Sequence, residues 1–405
     1  MLSVTQPAAG TPVSYLDLLD PAFSIDPHPR VAALRQLGPV VFLEKAGVWA
    51  VSRHADVKAV LDDHDTFISA GGTGLHNNIK EPPRRVPSLL LEADPPVHTR
   101  TRAVIQRIMS GPAIRKLRET IFEKADALIA PLVEQGEFDA VSDIAEVFPT
   151  TVFPEAVGLR LGADGREKLL QYGLITFAFF GPRNEYFDEI MATTQDVLPW
   201  IADQCRRESL SPDGFGAQVY AAMDEGKLGA DEAPLLVRSF LAAGLDTTIA
   251  GIGRVINCLA THPEQWSLLA ANPDLARPAF EEMMRFDHPS IGVFRTASRD
   301  CEFAGIAIPK HEKVFALTGS ANRDPDQWIN PESYDIRRVT VGHLGFGSGI
   351  HACAGMMVVR LEAEAILRAL ARRVDRLELA GSPTYRTRAA LRRAFASLPI
   401  KVTRK

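Results

Sequence analysis

A chain of 405 residues, 46% hydrophobic and 23% charged, carries enough apolar surface for a large buried core, which excludes intrinsic disorder. A net charge of −5, with basic residues scattered rather than massed, excludes a nucleic-acid footprint. Four cysteines (Cys205, Cys258, Cys301, Cys353) stand far apart with no CxxC pair, which excludes a zinc ribbon or a disulfide framework.

Met1 to Leu16 is uncharged but broken by Pro7, Gly10 and Pro12, and lacks the basic start and apolar centre of a signal peptide. The uncharged internal run from Leu169 to Pro182 is shorter than the roughly 20 apolar residues that span a bilayer. A cytoplasmic protein with no membrane partner is therefore expected. No repeat or linker divides residues 1–405, so a single domain is expected.

In chain order, Val40 to Leu43 and Val48 to Val51 read as short strands, and Gly71 to Pro87, rich in Gly and Pro, as one long loop. Pro95-Pro96 then opens a helix with His98 and Arg102 four apart on one face, suited to gripping a carboxylate. From Asp231 and Glu232, with Pro234 in the first turn, apolar residues run almost all round to Thr261, which predicts a long buried helix. Inside it, Ala243-Gly244-Leu245-Asp246-Thr247-Thr248 replaces good helix formers with Gly and Thr. That predicts a local defect, and Asp246 and Thr247 supply an acid and a hydroxyl for moving protons. Glu282 and Arg285, three apart, share a face of a helix expected from Pro278 to Phe286. A strand follows at Val314 to Leu317, so the class is mostly α with a minor β part.

The most informative segment is Phe346-Gly347-Ser348-Gly349-Ile350-His351-Ala352-Cys353-Ala354-Gly355, followed by a strongly helical run from Met356. Cys353 thus stands at a helix N-terminus, where free backbone N–H groups and the helix dipole favour a thiolate. The glycines let the backbone wrap the sulfur, and Phe346 shields it from water.

This array of F-G-x-G-x-H-x-C-x-G resembles the haem-ligand loop of the cytochrome P450 family. Three further motifs in the family's order extend the resemblance over essentially the whole chain: the Asp246-Thr247 groove, the Glu282-x-x-Arg285 pair, and the His98 helix. The resemblance implies the P450 fold, with haem b between the long helix and the cysteine helix, Cys353 as the iron's sulfur ligand, and His98, Arg102, Arg295 and His351 holding the propionates. It implies a monooxygenase in which Thr247 and Asp246 manage protons and an iron–sulfur ferredoxin with a flavin reductase supplies electrons. Arg107, Arg115, Lys116, Arg118 and Arg360 are candidates for the donor's docking patch. One departure stands out: many members carry an Arg where this chain has Ser333 in Pro331-Glu332-Ser333-Tyr334, and Arg337 or Arg338 is the candidate replacement.

The segments S-Y-L-D-L-L-D-P-A-F-S-I-D-P-H-P-R and P-S-L-L-L-E-A-D-P-P resemble the bacterial members that oxidise para-substituted benzoic acids. That resemblance implies a small aromatic carboxylic acid such as 4-methoxybenzoate as substrate. Arg85 (or its neighbour Arg84), Ser88, Arg238 and Ser239 suit its carboxylate, and Phe177, Phe180 and Phe294 with Leu91, Ala243 and Ile291 suit its ring. The competing expectations are a neutral terpenoid-like substrate, or a haem-thiolate sensor that performs no oxidation.

Overall fold

The structure, a computed structural model, describes residues 6–388 and 391–405; residues 1–5 of the uncharged N-terminal stretch lie outside it. Helices form most of the molecule, and the strands gather into one six-stranded sheet and three small ones. In order across the large sheet run Val13–Ser14, Val40–Leu43, Val48–Val51, Lys313–Ala316, Val293–Ala297 and Phe67–Ile68. The two early strands stand where the sequence reading puts them. Their unbroken apolar character has a reason: Val41, Leu43, Val48 and Ala50 enter one core cluster while Val40, Phe42, Trp49 and Val51 enter another. Both faces are covered, so polar alternation has no place.

The main core lies among the helices Gly111–Gln135, Ala276–Phe286 and Met356–Arg373 and the long helix. The long helix begins at Glu232 and ends at Thr261, with an interruption at Leu245 dividing it into Glu232–Gly244 and Asp246–Thr261. This is the expected defect, and its cause is local. The hydroxyls of Thr247 and Thr248 donate back to the carbonyls of Ala243 and Gly244, each at 2.9 Å, competing with the backbone ladder. By length and composition this one helix among the described residues is apolar enough to cross a membrane, but 67% of its apolar window is buried inside the fold.

Between Ile68 and Val97 the described chain forms no helix or strand. The Gly71–Pro87 stretch is tied to the sheet at its base, where the buried Lys313 donates to the carbonyls of Gly71 and Gly72 at 2.7 and 2.6 Å. It is also tied to the end of helix Gly165–Phe180, where Leu75 N–H donates to the Phe180 carbonyl at 2.8 Å.

Candidate functional site

Cys353 precedes helix Met356–Arg373 by one turn, and its N–H donates to the Phe346 carbonyl at 2.8 Å, closing the loop on itself. Burial raises the thiol, and the backbone N–H groups of Gly355 and Met356 and the charges of Arg102 and Arg360 oppose that rise. Burial outweighs them, and the thiol stands above its ordinary value. Gly349 takes φ +68° and packs so tightly on Leu61 and Asp62 that a Cβ would lie 2.6 Å from the Leu61 carbonyl, which makes glycine obligatory there.

His98, on helix Val97–Ile108, meets His351 of the cysteine loop with ring centroids 4.2 Å apart. His98 Nε2, Arg102 Nε and His351 Nε2 are all buried without a hydrogen-bond partner. Burial, with His351 and Arg102 nearby, pushes His98 down to about 4, and burial lowers His351 as well. Arg295, on the neighbouring strand, is buried and lowered to about 10, with Asp94 opposing the shift. Buried polar nitrogens left without a partner in this way cost free energy unless a hydrogen-bonding group meets them. Asp94, which the sequence reading missed, accepts the N–H groups of Ser69 and Ala70 at 2.9 Å each and lies 3.9 Å from His351 Nε2.

The Glu282–Arg285 pair is fully buried and doubly bonded, at 2.8 Å each. Arg285 also donates to the carbonyls of Asn322, Pro331 and Ser333. Arg338, not Arg337, supplies the third member: its Nε donates to Glu282 Oε1 at 3.1 Å while Arg337 turns to Asp335.

In the groove, Ala243 and Thr247, four apart on one face, are exposed, while Leu245, Asp246 and Thr248 between and beside them are buried. Asp246 points the other way, into a buried ion pair with Arg392. Burial raises the Asp246 carboxyl and Arg392 opposes the rise. Gly173 makes room for it, since a Cβ there would lie 3.0 Å from Asp246 Oδ1.

The expected substrate residues divide. Ser88 Oγ reaches Ser239 Oγ at 3.3 Å, joining the loop to the long helix across 151 positions of sequence. Arg238 Nη2 donates to the Val86 carbonyl at 2.8 Å, so it anchors the same loop. Arg85 is paired with Glu92 at 2.9 Å, and Arg84 donates to the Gly181 carbonyl at 3.0 Å. A small pocket beside that pair is bordered by Gly74, Arg84, Arg85, Glu92, Phe179 and Phe180. Phe177 and Phe180 pack edge to face at 5.6 Å, and Arg392 lies 5.5 Å over the Phe177 ring. Leu91 is half-buried. Phe294 and Ile291 are buried in the sheet core, Phe294 stacked on Phe315 at 4.3 Å. Of the basic residues expected to dock a donor, Arg107 pairs with Glu225, Arg118 with Glu364 and Arg360 with Glu281. Arg115 and Lys116 are exposed and in no ion pair among the described residues.

The model of the cytochrome P450 family matches residues 166–375. Cytochrome p450 CYP199A2 of Rhodopseudomonas palustris is 47% identical over 407 aligned positions, covering 100% of this chain and 98% of that protein. The chain belongs to the cytochrome P450 family. This P450 is also 32% identical to the epothilone C/D epoxidase of Sorangium cellulosum, over 90% of each chain. Among solved structures, epothilone D-bound P450epoK superposes with a TM-score of 0.85 at 28% identity, over 96% of this chain and 99% of that one. Cytochrome P450 CREJ in complex with (4-ethylphenyl) dihydrogen phosphate gives 0.80 at 27%, over 93% and 97%. The chain is accordingly a haem monooxygenase, and haem b is its cofactor. The residues present fit that group: a macrocycle with two carboxylates suits a loop cysteine flanked by backbone N–H groups beside three orphaned buried donors.

Proposed function

We propose that this P450 oxidises para-substituted benzoic acids, O-demethylating 4-methoxybenzoate and hydroxylating para-alkyl analogues. The Ser88–Ser239 contact carries the reading. Ser239, Ala243 and Thr247 recur every four residues along one helix face, so each lies about 6 Å beyond the last. A benzoate held by its carboxylate at Ser88 and Ser239 spans roughly one such turn and presents its para substituent near Ala243 and Thr247. The Arg238 guanidinium adds positive charge at the carboxylate end while its hydrogen bond keeps the loop closed. Phe177 and Phe180 provide the aromatic wall. The CREJ complex supports the class, since its ligand is likewise a para-alkyl aromatic anion.

In this reading Cys353 holds the iron, and His98, Arg102, Arg295 and His351 hold the propionates. When bound, haem supplies O₂ activation and the insertion of one oxygen atom into a C–H bond, with the second oxygen leaving as water. Thr247 then presents a hydroxyl on the exposed stripe, and Asp246, one residue before it, is the buried acid that replenishes its proton. A small iron–sulfur ferredoxin fed by a flavin reductase in the cytoplasm is the electron donor, with Arg115 and Lys116, exposed and in no ion pair among the described residues, the candidates for its docking.

The test is product analysis with a ferredoxin and reductase. Equimolar 4-hydroxybenzoate and formaldehyde per 4-methoxybenzoate consumed is the expected result. No oxidation of any para-substituted benzoate, with turnover of neutral apolar compounds instead, contradicts the reading.

A further inference from the structure

Glu281 stands beside the Glu282 of the buried network but faces the cysteine loop. Its carboxylate takes Nε and Nη2 of Arg360 at 2.5 and 3.0 Å, and also Nε2 of His343 at 3.0 Å. The Gly345 amide donates to Nδ1 of His343 at 3.1 Å, which leaves the ring proton on Nε2, directed at Glu281. Burial works to raise the Glu281 carboxyl, but His343 and Arg360 hold it down at about 2, so it stays charged. The cluster is sheltered, with side-chain exposures of 6%, 13% and 19% for His343, Glu281 and Arg360.

The cluster's product is a fixed cation. The Arg360 guanidinium carbon lies 4.7 Å from the centre of the Phe346 ring, and the His343 ring centre lies 5.8 Å from it. Phe346 is in turn joined to Cys353 by the 2.8 Å hydrogen bond from the cysteine N–H to its carbonyl. A side-on, doubly bonded guanidinium has little freedom to leave the ring.

We propose that Glu281 and Arg360 are positioning residues for the haem-thiolate. Arg360 fixes the Phe346 flank of the cysteine loop and adds positive charge beside that loop, and Glu281 orients that charge and partly offsets it. The proposal rests on Cys353 being the iron ligand. Reduction adds an electron to the iron–sulfur unit, so a nearby cation favours the reduced form and a nearby anion disfavours it.

The experiment measures the ferric–ferrous midpoint potential of substrate-free haem-loaded protein, together with the carbon monoxide difference spectrum, for wild type, R360M, R360K and E281Q. The expected result is a more negative potential in R360M, a more positive one in E281Q, and R360K closer to wild type than R360M. All four should keep the thiolate-type carbonyl band. Shifts of the same sign in R360M and E281Q, or none in either, would overturn the proposal and leave the cluster purely structural. A wild type without the thiolate band, or a C353S variant that keeps it, overturns the ligand assignment and this proposal with it, whereas an intact assignment shows the band in wild type and loses it in C353S alone.

Discussion

Asp246 of the long helix and Arg392 of the C-terminal segment form an ion pair with side-chain exposures of only 6% and 2%, and Asp246 Oδ2 and Arg392 Nε and Nη1 have no hydrogen-bond partner. The acid assigned to proton delivery is therefore held by a buried cation that also lies over Phe177. Two consequences differ. Asp246→Asn removes the acid but keeps a hydrogen-bonding group, and should slow turnover with substrate affinity unchanged. Arg392→Gln strands a buried carboxylate, and should cost about 3–5 kcal/mol of stability, read as a lower denaturant midpoint. The double variant Asp246→Leu, Arg392→Met should recover most of that loss. A double variant no more stable than Arg392→Gln would count against the pair as the cause.

Thr247→Ala removes the only hydroxyl on the exposed Ala243–Thr247 stripe while keeping the helix. Substrate binding should persist, with most NADH consumption diverted to hydrogen peroxide. Fully coupled turnover in this variant, measured as product formed per NADH, would remove Thr247 from the proton path.

Ser239→Ala deletes one of the two hydroxyls proposed for the carboxylate. A hydrogen bond to a charged group is worth about 1.5–3 kcal/mol, so Kd for 4-methoxybenzoate should rise roughly 10- to 100-fold. A neutral analogue of the same shape should lose much less. Equal losses for both ligands would make Ser239 a packing residue.

Glu362, on the helix after the cysteine, is buried with neither carboxylate oxygen hydrogen-bonded, and burial pushes it up to about 8. Because the folded-state value lies above the ordinary 4.5, the folded chain is favoured fully below that value, and loses stability as pH climbs from it towards 8. The loss is on the order of a few kcal/mol. Glu362→Gln should flatten this dependence and melt higher than wild type at pH values near 8. Parallel melting curves for the two proteins across that range would mean that Glu362 finds a compensating partner.

The fold class and the motif loops were legible because their signals are local. Glycine spacing around Cys353, Pro234 in a first turn, and Gly244 and the threonines at the helix defect each act within a few residues. Pairings across long stretches of sequence were not legible. Nothing in composition links Asp246 to Arg392, 146 positions away, or shows that Glu92 takes up the charge of Arg85 and Glu281 that of Arg360. The choice between Arg337 and Arg338 shows the same limit: adjacent arginines read alike, and only the turn after Tyr334 directs one inward to Glu282 and the other to Asp335. Phe294 and Ile291 read as ring-binding residues by type, yet the sheet buries both in its own core.

The decisive titration adds 4-methoxybenzoate and, separately, its methyl ester to the purified ferric haem protein while following the low-spin to high-spin change. The proposed recognition of the carboxylate by Ser88 and Ser239 predicts a tight, near-complete shift with the acid and a weak or absent one with the ester. An equal response to both, or to the ester alone, would contradict carboxylate recognition and point to a neutral substrate for the same monooxygenase.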